Sequence, residues 1–154
     1  MQICLGLVRV WFGSILMPRT ILDRWLTEGM SGWLESKIVV NLLGENELYY
    51  GREQEQKLIC AADNGQMPPL YPQDGVIGLV GTEWYHCQDV FCWKATAVMR
   101  MIEQQVSHEA FKRVIERMIN CSASSCREGT PSHKRYVNTE AFLKEVNQRF
   151  MCLI

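Results

Sequence analysis

From Thr20 to Leu43 the apolar residues Leu22, Trp25, Leu26, Met30, Trp33, Leu34 and Ile38 recur every three or four positions. That spacing gathers side chains on one face of a helix and predicts one over 20–43. Thr20 can accept from free amides at its start, Asp23 suits the positive end of the dipole, and Gly44 suits a left-handed stop. Upstream, the apolar stretch from Ile3 to Met17, closed by Pro18, predicts a helix over 3–16.

A third helix is expected over 46–61, with Leu48, Tyr49 and Leu58 inward and a run of Glu, Gln, Arg and Lys outward. Between 62 and 89, Asn-Gly, Met-Pro-Pro, Tyr-Pro and Asp-Gly interrupt any helix. A loop of that length usually serves function or lines something. Periodicity resumes with Phe91, Ala95, Val98, Met101, Ile102 and Val106, predicting a helix over 90–106. Ser107 can cap the next, over 108–121, which carries Phe111, Val114, Ile115, Met118 and Ile119. Residues 121–135, with the dipeptide Lys134-Arg135, read as a surface loop. Asn138 or Thr139 can then cap a last helix over 139–150 bearing Phe142, Val146 and Phe150. No segment supports a strand comparably. The expected class is therefore mainly α, and because the chain starts inside an apolar helical stretch, 1–154 reads as an excerpt of a larger domain.

Composition narrows the function classes. With 154 residues, 47% hydrophobic and 21% charged, the chain belongs with ordinary globular proteins. A net charge of −1 supplies no field that would draw it to nucleic acid or acidic membrane. Ile3 to Met17 contains Arg9 and falls short of the ~20 residues a bilayer span needs. No basic segment precedes it, so no export signal is expected. Cysteines at 4, 60, 87, 92, 121, 126 and 152, without a CxxC pair, are expected to be reduced thiols of a cytosolic or nuclear protein. His86, His108 and His133 have no ligand spacing, and Cys87 and Cys92 beside His86 lack a second pair. No metal is expected on these grounds. Trp11, Trp25 and Trp33 are expected to pack in the core. The face from Glu53 to Lys57 is expected to be solvated, or in a large assembly to meet a neighbour.

Val10-Trp11-Phe12-Gly13, followed by Trp25-Leu26-Thr27-Glu28-Gly29-Met30, resembles the catalytic core of the gluzincin (membrane alanyl-type) aminopeptidases. In that family HExxH-QWFG supplies two zinc ligands and the general base, and a glutamate in WLNEG the third ligand. Glu28 matches the third ligand, but Leu5 and Arg9 stand where the family has its histidines, and Gly6 where it has the base. Leucine offers no lone pair, a guanidinium brings positive charge, and glycine cannot take a proton. Arg9 is accordingly expected to pair with Glu28 and fill the charge left by the metal.

Phe91-Cys92-Trp93-Lys94-Ala95 through Val98-Met99-Arg100-Met101-Ile102-Glu103 resembles the family's Y-x-K-G helix. The resemblance puts Cys92 at the tyrosine that stabilises the oxyanion, where a thiol is a far weaker donor, and leaves Lys94 structural. Glu109-Ala110-Phe111 and Thr139-Glu140-Ala141-Phe142-Leu143 resemble the helices that close the domain, so the likeness runs from about 5 to 150.

Ser31-Gly32, the segment Gly44-Glu45-Asn46-Glu47-Leu48-Tyr49 and Lys94-Ala95 resemble most the family's non-catalytic branch, a TBP-associated factor of the general transcription factor TFIID. Glu28 departs from that branch, which is often basic there. The resemblance implies the helical part of a thermolysin-like domain, truncated on its N-terminal side. It implies a pseudo-peptidase without catalytic residues or cofactor, serving as a scaffold in RNA polymerase II transcription initiation in the nucleus. Its implied partners are TBP and other TFIID subunits, promoter DNA indirectly, and no membrane. The alternative is a cytoplasmic zinc aminopeptidase with Glu28 as third ligand and the rest of its site outside this sequence.

Overall fold

The computed structural model describes residues 2–63, 65, 67, 69–71, 88–124 and 135–151. The loop expected at 62–89 lies largely outside them, as do His86, Cys87, Cys126, His133, Lys134 and Cys152. The structure is mainly helical. Its elements are α1 (Gln2–Ile15), β1 (Leu16–Pro18), a 3-10 turn (Ile21–Asp23), α2 (Arg24–Leu43), α3 (Glu45–Ala62), α4 (Gln88–Val106), α5 (His108–Ser124), β2 (Arg135–Val137) and α6 (Thr139–Met151). No helix among the described residues is long and apolar enough to cross a membrane.

Helix α2 is the axis of the fold and meets α4 most extensively, with α1 and α3 also against it. The α2–α4 crossing is close because Gly29 and Gly32 carry no side chain. A Cβ on Gly29 would come 2.8 Å from the Ala95 carbonyl oxygen, and one on Gly32 would overlap the Thr96 hydroxyl. Around this contact Phe12, Leu26, Met30, Met99, Phe111, Val114 and Phe142 are sealed from solvent. Trp33 meets Phe111 edge-on at 5.1 Å, and Trp25 meets Phe142 at 6.1 Å, geometry that the ring quadrupoles favour.

Two short strands accompany the helices where no segment of the sequence supports a strand. β1 and β2 pair in parallel, Leu16 against Arg135 and Pro18 against Val137, and Arg19 N–H extends the ladder to Val137 O at 2.8 Å. Three residues are too few to show an alternating pattern in sequence. Leu16, assigned by its apolar run to the first helix, instead opens β1 and is buried.

Ahead of α2, Thr20 and Asp23 form a reciprocal capping box around the 3-10 turn. Thr20 accepts the Asp23 N–H through its carbonyl at 3.1 Å, and its own N–H and hydroxyl donate to Asp23 Oδ2 at 3.1 and 2.7 Å. Asp23 is buried, and its other oxygen accepts the Thr139 N–H and hydroxyl at 2.8 Å each, at the first residue of α6. Trp25 Nε1 then donates to Thr139 Oγ1 at 3.0 Å. One carboxylate thus joins helix starts that are 116 residues apart in sequence. At the other junctions, Gly44 turns α2 into α3 with φ 89°. Ser107 takes φ 74° and accepts the Ala110 N–H at 3.4 Å, and Asn138 Oδ1 caps α6 through the Ala141 N–H at 2.7 Å.

One helix face is rotated from the predicted one, and in α4 the predicted face of Phe91, Ala95 and Val106 is buried but wider than its apolar positions. In α3, Tyr49 and Leu58 are exposed and no residue is fully buried. Its docked side is polar instead: Glu55 accepts from Arg100 at 3.0 Å, and Asp63, just past its end, from Lys94 at 2.7 Å. In α4, Met101 points to solvent while Cys92, Thr96, Met99 and Glu103 join the buried side. The apolar pattern misses these positions because the packed faces also carry charged or hydroxyl groups. Trp11, expected in the core, is half exposed and lies edge-on to Phe12 at 5.1 Å.

Glu103 is the buried pin at the α4–α5 corner. Its Oε1 receives Lys37 Nζ at 2.7 Å and His108 Nδ1 at 2.6 Å. Burial pushes this carboxyl upward, but the hydrogen bonds from Lys37 and His108 bring it below its ordinary value of 4.5. A carboxylate lowered on folding contributes stability above the unfolded value and loses it as pH falls through the folded one. The melting temperature should therefore drop as pH falls below about 4.5. Glu103→Gln should flatten that acid limb and cost about 1–3 kcal/mol near neutrality, read by thermal melts across pH. Two glycines give a second test. Gly6 sits exposed in α1 with nothing within 4 Å of a built Cβ, so Gly6→Ala should stabilise by about 0.5–1 kcal/mol from helix propensity. Gly32→Ala gains the same propensity yet should be net destabilising, a difference in sign that urea unfolding resolves.

Candidate functional site

The residues singled out from the sequence come from three helices. Arg9 lies one turn after Leu5 on α1, Glu28 in the second turn of α2 and Cys92 in the second turn of α4. The close α2–α4 crossing sets Glu28 and Cys92 opposite one another, because each stands one turn before the contact pair Gly32 and Thr96. Packing of Val8, Phe12 and Leu16 turns the adjacent side of α1, and with it Arg9, toward α2.

Arg9 Nε stands 3.0 Å from Glu28 Oε2. Its N–H does not point along that line, and the buried Nε makes no directed hydrogen bond, so the contact is one of charges. The Cys92 thiol donates to the same oxygen at 3.4 Å. Arg24 approaches Glu28 Oε1 at 3.6 Å, one helical turn away, with its guanidinium 6.0 Å from the centre of the Phe91 ring. The structure thus brings Arg9, Glu28 and Cys92 together. Gly6 is on the exposed side of α1, and the Leu5 side chain lies outside the described residues. Lys94 faces away from this group, bound to Asp63.

Arg24 was readable from its i, i+4 spacing to Glu28. Glu35, Glu55 and Asp89 were not, since they reach the site from three different helices. Together with Arg9 and Cys92 they line a cleft of about 50 Å³. On the other side of the ion pair, Phe12, Leu16, Met17 and Pro18 line a second cavity of about 160 Å³. Both are smaller than the few hundred Å³ that hold a typical small-molecule ligand. Burial, and the Glu55 charge beside it, push the Glu35 carboxyl up. Burial next to the Glu28 charge raises the Cys92 thiol to about 12, so it is protonated and donates.

A zinc ion does not fit this group. The chemistry needs three or four lone-pair donors near 2 Å, and here Glu28 is held between two guanidinium groups, the Cys92 thiol donates to it, and Glu55 is paired with Arg100. Among the described residues no three His, Cys, Asp or Glu side chains gather as a metal site. His108, also weighed as a ligand, is bound to Glu103.

The state of the thiol gives a test. In the native protein, iodoacetamide at mildly alkaline pH should label the exposed Cys60 and leave Cys92 unmodified, since the thiolate is the reactive form. Peptide mass mapping that found Cys92 labelled as fast as Cys60 would contradict the geometry.

No family model matches the chain, and no solved structure matches it. It is similar to Transcription initiation factor TFIID subunit 2 of Gallus gallus, with 24% identity over 162 aligned positions. The alignment takes in 92% of this chain but 14% of that protein, so the chain spans a small part of its relative's length.

Proposed function

We propose that this chain is a non-catalytic, aminopeptidase-like scaffold module of a TFIID-type assembly, acting in RNA polymerase II transcription initiation in the nucleus. The observation that carries the reading is the likeness to a TFIID subunit along 92% of the chain. The local chemistry supports the non-catalytic half. Glu28, the residue that the aminopeptidase resemblance would make a metal ligand, faces Arg9 at 3.0 Å and Arg24 at 3.6 Å. Gly6 offers no base, and the thiol of Cys92 is spent on Glu28 rather than available to an oxyanion. Such a module contributes by rigid shape and surface, with TBP and other TFIID subunits as partners and promoter DNA reached through them.

The test is affinity purification of the tagged full-length product of the native locus from nuclear extract, blotted for TBP, alongside turnover of aminoacyl-anilides with zinc supplied. TBP should co-purify and turnover should stay at background. Turnover with stoichiometric zinc, or a preparation free of TBP, overturns the proposal.

A further inference from the structure

Resting on the non-catalytic reading, one more property of the Arg9 group follows from its geometry. The buried side of α1 is otherwise apolar, formed by Val8 and Phe12 and followed by Leu16. Against it, Glu28 has one oxygen facing Arg9 from α1 and the other facing Arg24 from its own helix. Arg9 Nε is buried and bonded to nothing in a directed sense, though it stands within 3.0 Å of the carboxylate. A guanidinium normally reads a carboxylate through aligned N–H forks. Here Nε contributes charge without that alignment, as an ion would.

We propose that Arg9 is a built-in cation that ties α1 to α2, the structural task a bound divalent metal would perform between the same two helices. Cys92 completes the cage by donating from α4 to the oxygen that Arg9 faces. Metal binding is otherwise folding free energy that a chelator removes. A cation carried on the chain makes the α1–α2 junction independent of metal supply and fixed to the pair Arg9 and Glu28.

The experiment compares thermal melts of the full chain in EDTA and in zinc sulfate, with zinc measured by emission after dialysis. The wild type, Arg9→Met, Arg9→Lys, Glu28→Gln and the double variant Arg9→Met/Glu28→Gln are all melted. The wild type should melt alike in both buffers and retain no zinc. Arg9→Met should lower Tm by roughly 3–6 °C, Arg9→Lys should recover part of the loss, and the double variant should fall by less than the sum of its singles. Stoichiometric zinc that raises the wild-type Tm overturns the proposal. So does an Arg9→Met variant as stable as wild type, or singles that simply add. None of these readouts involves TBP, so failure here and failure of the assembly reading remain distinguishable.

Discussion

The approach of α2 to α4 across Gly29, Gly32, Ala95 and Thr96 is the constraint on which the remaining structure depends. Without side chains at the two glycines the helix backbones close to a distance at which Thr96 packs directly onto α2. The Thr96 hydroxyl is turned back to the Cys92 carbonyl at 2.8 Å, which satisfies it inside the contact. One turn earlier on each helix, the same closeness places a thiol at hydrogen-bond distance from Glu28. Core and site are therefore one packing event. A bulkier crossing would separate the rows of Trp25, Leu26 and Met30 from Phe91, Ala95 and Met99, and would pull Cys92 off the carboxylate.

Buried carboxylates then fix the helix ends that apolar packing leaves free to slide. Asp23 binds the starts of α2 and α6, and Glu103 binds α2 to the α4–α5 corner. Each is expensive to bury alone, and each is satisfied by its donors: two groups of Thr20 and two of Thr139 for Asp23, Lys37 and His108 for Glu103. The left-handed φ of Ser107 lies next to the second of these pins. A non-glycine residue in that region is costly, and here it lies between Glu103 and His108, whose hydrogen bond spans the turn.

Much of this was legible in the sequence. The residues Trp25, Leu26, Met30, Trp33, Phe111, Val114, Phe142 and Val146 are buried where the three-and-four spacing put them, because there the packed face is nearly all apolar. The reading failed where it is not. In α3, the ion pair between Glu55 and Arg100 lies on the inner side, and Tyr49 is left outside. In α4, Thr96 and Glu103 are core residues that no hydropathy count would admit. The strands escaped notice because three residues carry no period, and the double bond set of Asp23 because its partner Thr139 is remote in sequence. At the candidate site, Arg9, Glu28 and Cys92 were named from motif positions. Their juxtaposition is a property of the crossing, and the carboxylates of Glu35, Glu55 and Asp89 that share the cleft had no sequence signal linking them.

The site also shows why its residues must change together. A carboxylate at 15% exposure, such as Glu28, is tolerable only with a cation beside it, and removing one partner of such a pair is worse than never having had it. Arg24 alone, at 3.6 Å and on the same helix, screens one oxygen. The oxygen facing α1 needs its own charge, and Arg9 is the group that reaches it, with a third of its side chain still in water to lower its desolvation cost. Lysine would bring a compact, strongly hydrated ammonium to the same place, whereas a guanidinium sheds water more readily beside Phe12 and Leu16, which line the same cavity. A partly buried glutamate at position 28 and an arginine at position 9 are therefore one physical condition: the acid is tolerable because the base is there.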